Sequence, residues 1–151
     1  MWCTRVLIEA GDAEFAALLS DHSPIAPTEV LEMLEKLAAD IRPSFAPSAW
    51  QVSIDGAIVG LCSLVRAPAD GIVTIGYGIA PKHMGKGYAS SAVWEIIDWA
   101  RSDARVLAVA AETNHDNIAS HRVLEHNDFV RVGERVDDED GALICWRYET
   151  S

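Results

Sequence analysis

Gly85 and Gly87 stand one residue apart in the run Lys82-His83-Met84-Gly85-Lys86-Gly87-Tyr88-Ala89. Glycines so spaced let a backbone turn tightly and present successive N–H groups, which is chemistry for holding an anion. Before the run, Ile75-Gly76-Tyr77-Gly78-Ile79-Ala80 reads as a strand that must end at Pro81, whose nitrogen carries no hydrogen for a ladder. After it, Ala89, Ala92, Val93, Ile96 and Ala100 recur at helical spacing from about residue 87 onward. The loop therefore hands its N–H groups to a helix N-terminus, where the macrodipole adds roughly half a positive charge. A plain glycine connection between strand and helix would use the same letters. Two phosphate-binding fingerprints fail here. A P-loop needs Gly-Lys followed by Ser or Thr, and Gly87 occupies that place. A dinucleotide fold needs a third glycine at the right offset, and none is present.

Other reactive side chains offer less. His115, His121 and His126 are not spaced to share a helix face, and no cysteine lies near them, so no metal site is expected. Cys3, Cys62 and Cys145 lie in apolar, strand-like stretches; their odd number implies buried thiols rather than a disulfide framework or a nucleophile. The tryptophans, Trp2, Trp50, Trp94, Trp99 and Trp146, read as packing residues rather than substrate stackers.

The elements that must position the loop follow from pattern. A chain of 151 residues, half of them hydrophobic, is long enough for one good core, so a single domain over residues 1–151 is expected. A strand at 5–9 leads to a helix from Asp12, a plausible N-cap, to about residue 20; a second helix spans 28–40. Asp55-Gly56 is a strong two-residue turn between strands 50–54 and 57–65, and Pro68-Ala69-Asp70-Gly71 turns into the strand at 75–80. Four antiparallel strands thus precede the loop. Beyond the central helix come a strand at 106–113, a helix at 117–127 and an antiparallel pair at 130–136 and 142–148.

A net charge of −11 argues against nucleic acid, whose phosphates would be repelled. Lys82, His83 and Lys86 gather at the glycine loop, whereas Asp137-Asp138-Glu139-Asp140 and Glu29, Glu32 and Glu35 lie elsewhere: a solvated acidic surface, or an attraction for a cationic acceptor. The first residues carry neither a signal peptide nor an apolar run long enough for a membrane span, so a cytoplasmic protein with no membrane partner is expected.

The run Met84-Gly85-Lys86-Gly87-Tyr88-Ala89 resembles the acyl-CoA-binding loop of the GCN5-related N-acetyltransferase (GNAT) family, Gln/Arg-x-x-Gly-x-Gly/Ala, with Met84 in place of Gln or Arg. An apolar residue there looks like the ribosomal-protein N-terminal acetyltransferase branch. A second stretch, residues 117–129, is similar to that branch's Asn-x-x-Ser-x-x-x-Leu-Glu-Lys-x-Gly-Phe through Asn117, Ser120, Leu124, Glu125 and Phe129. Asn127-Asp128 replaces the usual Leu-Gly, and both tolerate the left-handed backbone of a helix end. The element order β-α-α-β-β-β-α-β-α-β-β is also the family's.

The resemblance implies an α/β (α+β) GNAT fold: a mostly antiparallel, mixed seven-stranded sheet, splayed between strands 4 and 5 and flanked by about four helices. The two N-terminal helices would wall the acceptor pocket. It implies direct acetyl transfer from acetyl-CoA to a primary amine, on a small molecule or a protein N-terminus, with no metal and in a monomer or homodimer. CoA-binding residues would be Met84, Gly85, Lys86, Gly87, Tyr88, Ala89 and Ser90 in the loop, Asn117 on the pantetheine arm and Arg122 at a phosphate. The backbone N–H of Ile79, at an expected bulge, would polarise the thioester carbonyl. Relatives protonate the leaving thiolate with a Tyr where this chain has Leu124, which leaves Ser120 as the nearby hydroxyl on that helix. Members of the branch often carry a Glu where Thr74 stands, so Glu112 becomes the candidate base. The missing Tyr and Glu keep a second reading open, a non-catalytic acyl-CoA-binding regulatory module, which release of thiol from acetyl-CoA would separate from an enzyme.

Overall fold

In the computed structural model, residues 7–21 and 24–151 are described. Cys3, Trp2, residues 5–6 of the expected first strand, and His22 and Ser23 of the loop between the first two helices lie outside the described residues. The element order is β1 (Leu7–Glu9), α1 (Asp12–Ser20), α2 (Thr28–Ile41), β2 (Ala49–Ile54), β3 (Ala57–Leu64), β4 (Ile72–Ile79), a 3-10 turn (Pro81–His83), α3 (Tyr88–Ser102), β5 (Ala108–Asn114), α4 (Ile118–His126), β6 (Val130–Asp137) and β7 (Gly141–Glu149). The strands form one seven-stranded sheet, β1-β2-β3-β4-β5-β7-β6.

Turn chemistry sets the antiparallel half. Asp55 and Gly56 both have positive φ, 51° and 84°, the backbone that closes a two-residue hairpin between β2 and β3. Asp70 and Gly71, at 55° and 77°, deliver the chain into β4. β4 starts at Ile72, earlier than the expected 75, because Ile72-Val73-Thr74 is a β-branched run that pairs with β5. β5 in turn begins at Ala108, after Val106 and Leu107. A further correction concerns the first helix: Gly11, not Asp12, caps it, and Glu14 Oε1 accepts the Gly11 N–H at 2.7 Å. At the end of α4, Asp128 takes the left-handed turn at φ 65°.

Every strand pair is antiparallel except β4–β5. That parallel pairing runs from Ile72↔Ala108 to Ile75↔Ala111 and stops. β4 continues to Ile79 along β3, and β5 continues to Asn114 along β7. The sheet therefore splits between its fourth and fifth strands while each side stays anchored to another neighbour.

Side-chain alternation assigns the two faces of β4. Val73 and Ile75 pack with Val93 and Ile96 of α3 and Leu124 of α4 in the larger core cluster. On the other face of the sheet Leu61 of β3, paired with Gly78, joins Phe15 and Leu18 of α1 and Leu31 and Ala38 of α2. Trp99 packs edge-on against Phe45 and Trp50, as a core residue should. Trp94 does not: it is 60% exposed on α3, so its expected packing role fails because it points away from the sheet.

Candidate functional site

The glycine loop is the first component. Gly85 and Gly87 have φ of 78° and 80°, a region that strains any side-chain-bearing residue, and Gly87 is the N-cap of α3. A Cβ built on either would meet nothing within 4 Å, so the space in front of the loop is open. Among the described residues, the backbone N–H groups of residues 85–90 donate to no protein acceptor. Six consecutive unsatisfied donors at a helix N-terminus need water or a ligand. Met84, Lys86 and Lys82 are exposed around them, while Tyr88, Ala89 and Ser90 are half-buried at the helix start. Asn127 Nδ2 donates to Ser90 Oγ at 3.1 Å and to Ser90 O at 3.3 Å, tying the end of α4 to this first turn.

The split in the sheet is the second component. Thr74 O accepts from Val65 N–H, and Ala80 N–H donates to Val59 O. Even-numbered residues of β4 thus address β3, and the N–H and C=O groups of Tyr77 and Ile79 face the gap, where β5 no longer pairs. The bulge expected near Ile79 is absent: β4 keeps its register with β3 from Ile75 through Ile79, and a shift in the β2–β3 pairing falls at Val52/Ser53 instead. Departure of β5, rather than an inserted residue, leaves the Ile79 N–H facing the gap.

A cavity of about 390 Å³ occupies the split, with Tyr77, Ala111, Asn117 and Ser120 in its wall. Tyr77 Oη is buried without a well-formed hydrogen bond. Burial pushes the phenol's pKa up, and the neighbouring Ser120 hydroxyl pulls partly against that. Asn117 Oδ1 accepts the Ser120 N–H at 3.2 Å and so caps α4, leaving the Asn117 amide NH₂ without a hydrogen bond among the described residues. Leu124 is wholly buried. Two hydroxyls, one from β4 and one from α4, therefore meet where neither element alone supplies a pair.

The same cavity is bounded on its other face by charge. Glu112 takes Arg135 in a two-pronged pair, Nε to Oε2 at 2.6 Å and Nη2 to Oε1 at 2.9 Å, and Arg66 Nη2 to Oε1 at 3.0 Å. Arg66 also donates to Thr74 Oγ1 at 3.2 Å. Hydrogen bonding from Arg135, and then from Arg66, holds the Glu112 carboxyl below its ordinary range although partial burial opposes this. Both oxygens are occupied and the proton affinity is lowered, which suits a fixed anion better than a proton acceptor. Cys145 Sγ lies 3.9 Å from Glu112 Oε2, and its thiol pKa is raised. Burial pushes the Cys62 thiol up to about 12. Neither cysteine is activated as a nucleophile.

On the α2 side of β4 a second cavity, of about 280 Å³, lies against the first, with Val65, Gly76 and Tyr77 common to both. Ile79 lines this second cavity. Arg122 is exposed on α4 and, among the described residues, has no hydrogen-bond or ion-pair partner. His115 and His121 turn to different partners, Glu134 Oε1 at 3.0 Å and Asn114 O at 3.1 Å. Sequence reasoning missed Tyr77, Arg66 and Arg135. Tyr77 carried a readable signal, an aromatic residue between two glycines inside a strand; the arginines carried none, because Glu112 gathers them from positions 46 and 23 residues away.

Comparison with known proteins places this geometry. The acetyltransferase (GNAT) domain matches residues 5–130, and the chain belongs to that family. An uncharacterized N-acetyltransferase of Bacillus subtilis, YjdG, is 34% identical over 74 residues, a match spanning 48% of this chain and 44% of that protein's length. Spermidine N-acetyltransferase of Vibrio cholerae, solved with CoA and spermine, superposes with a TM-score of 0.73 at 16% identity, covering 95% of this chain and 94% of that one. RimL, a ribosomal L7/L12 α-N-protein acetyltransferase solved with CoA, gives 0.74 at 14%, covering 97% and 95%. An aminoglycoside acetyltransferase solved with CoA gives 0.71 at 15%, covering 95% and 94%. These three structures share the fold with this chain, and no branch of the family is singled out by them. The family's acyl donor is acetyl-CoA, and the unpaired N–H run at the glycine loop fits its phosphates.

Proposed function

We propose that the chain transfers an acetyl group from acetyl-CoA directly to an amine. The observation that carries this reading is the conjunction of six free N–H groups at the start of α3 with a strand gap that exposes the Ile79 N–H and two hydroxyls. Met84, Gly85, Lys86, Gly87, Tyr88, Ala89 and Ser90 hold the phosphates, chiefly through backbone, with Arg122 at the rim. The free Asn117 amide binds the pantetheine arm. The amine's lone pair attacks the thioester carbon, a C–N bond forms, the C–S bond breaks, and the amine's proton ends on sulfur. Ile79 N–H stabilises the oxygen as it gains charge. Ser120 and Tyr77 donate hydrogen bonds to the departing sulfur. Burial raises the Tyr77 pKa, so the phenol stays protonated and acts as a donor throughout. Glu112 fixes Arg66 and Arg135 at the cavity wall.

Leu124 and Thr74, which bear no acid or base, favour a second reading in which the chain binds acyl-CoA without catalysis. Thiol release from acetyl-CoA, measured with a panel of amines and basic peptides, separates the two. Acetyl-CoA binding by calorimetry with no thiol release for any acceptor would support the binding module and end the enzymatic reading.

A further inference from the structure

The walls of the α2-side cavity are mainly apolar. Ile25, Ala26, Val30, Leu34, Leu61 and Val65 line it together with the neutral Ser63, Gly78 leaves the strand floor bare, and its inner edge is Tyr77. A Cβ on Gly78 would meet nothing within 4 Å, so the bare floor is real space. Among the described residues, no carboxylate lines this chamber. Glu29 and Glu32 of α2 are exposed and are not in its wall. Of the charged residues lining the adjoining cavity, Arg66, Glu112 and Arg135 satisfy one another, and Asp140 does not reach the wall of this chamber.

An ammonium entering this chamber would lose its water and find no counter-charge, whereas a neutral amine would lose far less. Resting on the acetyl-transfer reading, we infer that the acceptor is a weakly basic amine on an apolar body, an α-amino group beside an apolar side chain, and not a polyamine. The chamber then does the work of the missing base. Thr74 has no proton affinity to offer and both Glu112 oxygens are occupied, but an apolar chamber selects the amine that has already given its proton to water. At pH 7.5 about a third of α-amino groups are neutral, against about one in a thousand of lysine-like amines.

The test uses the full chain with acetyl-CoA and three acceptors: phenylalanyl-alanine amide, phenethylamine and spermidine. The expected order of kcat/KM at pH 7.5 is the peptide first, phenethylamine at least tenfold lower and spermidine lowest. Calorimetry of the peptide with the CoA-loaded protein at pH 6.5, in buffers of different ionisation enthalpy, should show close to one proton released per peptide bound. Leu34→Asp, which puts a carboxylate into the wall, should move the spermidine-to-peptide ratio of kcat/KM toward spermidine by at least tenfold. A wild-type preference for spermidine, acetyl-CoA binding without acetylation of the peptide, or peptide binding with no proton released would overturn the inference. If Leu34→Asp does not fold, the wild-type proton count decides alone. Failure of acetyl-CoA itself to bind would instead overturn the acetyl-transfer reading.

Discussion

The two sides of β4 are built on opposite principles. On the side proposed for the donor the free groups are backbone N–H groups of the glycine loop, fixed by two left-handed glycines at the start of α3. On the side proposed for the acceptor, Gly78 supplies open room and Gly76 lets Val65 pack close, a Cβ there falling 3.1 Å from Val65 Cγ1, and the walls are side chains from α2, β3 and the loop before α2. A backbone site recognises an anion common to many substrates; a side-chain chamber can be retuned residue by residue. One fold can therefore keep a single donor while its relatives, by their names, act on spermidine, an aminoglycoside and a ribosomal protein.

The largest expected effect breaks the donor side. Gly87→Val places a β-branched residue at φ 80°, which costs on the order of 1–3 kcal/mol of backbone strain if the turn is held. CoA affinity by calorimetry should fall at least a hundredfold in a protein that remains folded by circular dichroism. Lys86→Ala removes one exposed charge and should weaken binding only two- to threefold. A reversed ranking would make side-chain charge, not backbone, the dominant ligand.

Next in size is the boundary between the two sides. Tyr77→Phe should lower kcat about tenfold or more with CoA affinity unchanged. Removing a buried hydroxyl that lacks a partner should leave thermal stability equal or higher. Ser120→Ala should lower kcat less, because Tyr77 remains. Full activity in both single variants and in the double variant would remove these hydroxyls from the mechanism.

This difference also governs what could be read from the letters. The shape of the glycine loop was legible because Gly85 and Gly87 adopt backbone conformations that only glycine adopts readily. Both Asp-Gly turns were legible for the same local reason, and the order of elements along the chain from apolar periodicity. The bulge near Ile79 was a wrong expectation because the gap is opened by where β5 stops pairing, a long-range property of register. Glu112 looked like a base in one dimension, since nothing adjacent in sequence announces Arg66 and Arg135. Tyr77 was visible as a residue, yet the Ser120 hydroxyl beside it comes from α4, with α3 and β5 intervening in the chain.

The smallest effect concerns Glu112. Its folded pKa lies below the model-peptide value of 4.5, so the stability it contributes is full above that value and is lost as pH falls through the folded one. Glu112→Gln should cost about 1 kcal/mol at pH 7, since the arginines are half-exposed, and less at pH 3. Denaturant melts at the two pH values check this. If Glu112 were instead the base, kcat would fall a hundredfold and the acid limb of its pH profile would vanish.

The central claim is that backbone N–H groups at the start of α3 hold CoA. Titrating CoA into ¹⁵N-labelled protein and following amide resonances tests it directly. The largest shifts should fall on residues 85–90, saturate together, and persist in Lys86→Ala. Saturable CoA binding that leaves those six amides unmoved would contradict it.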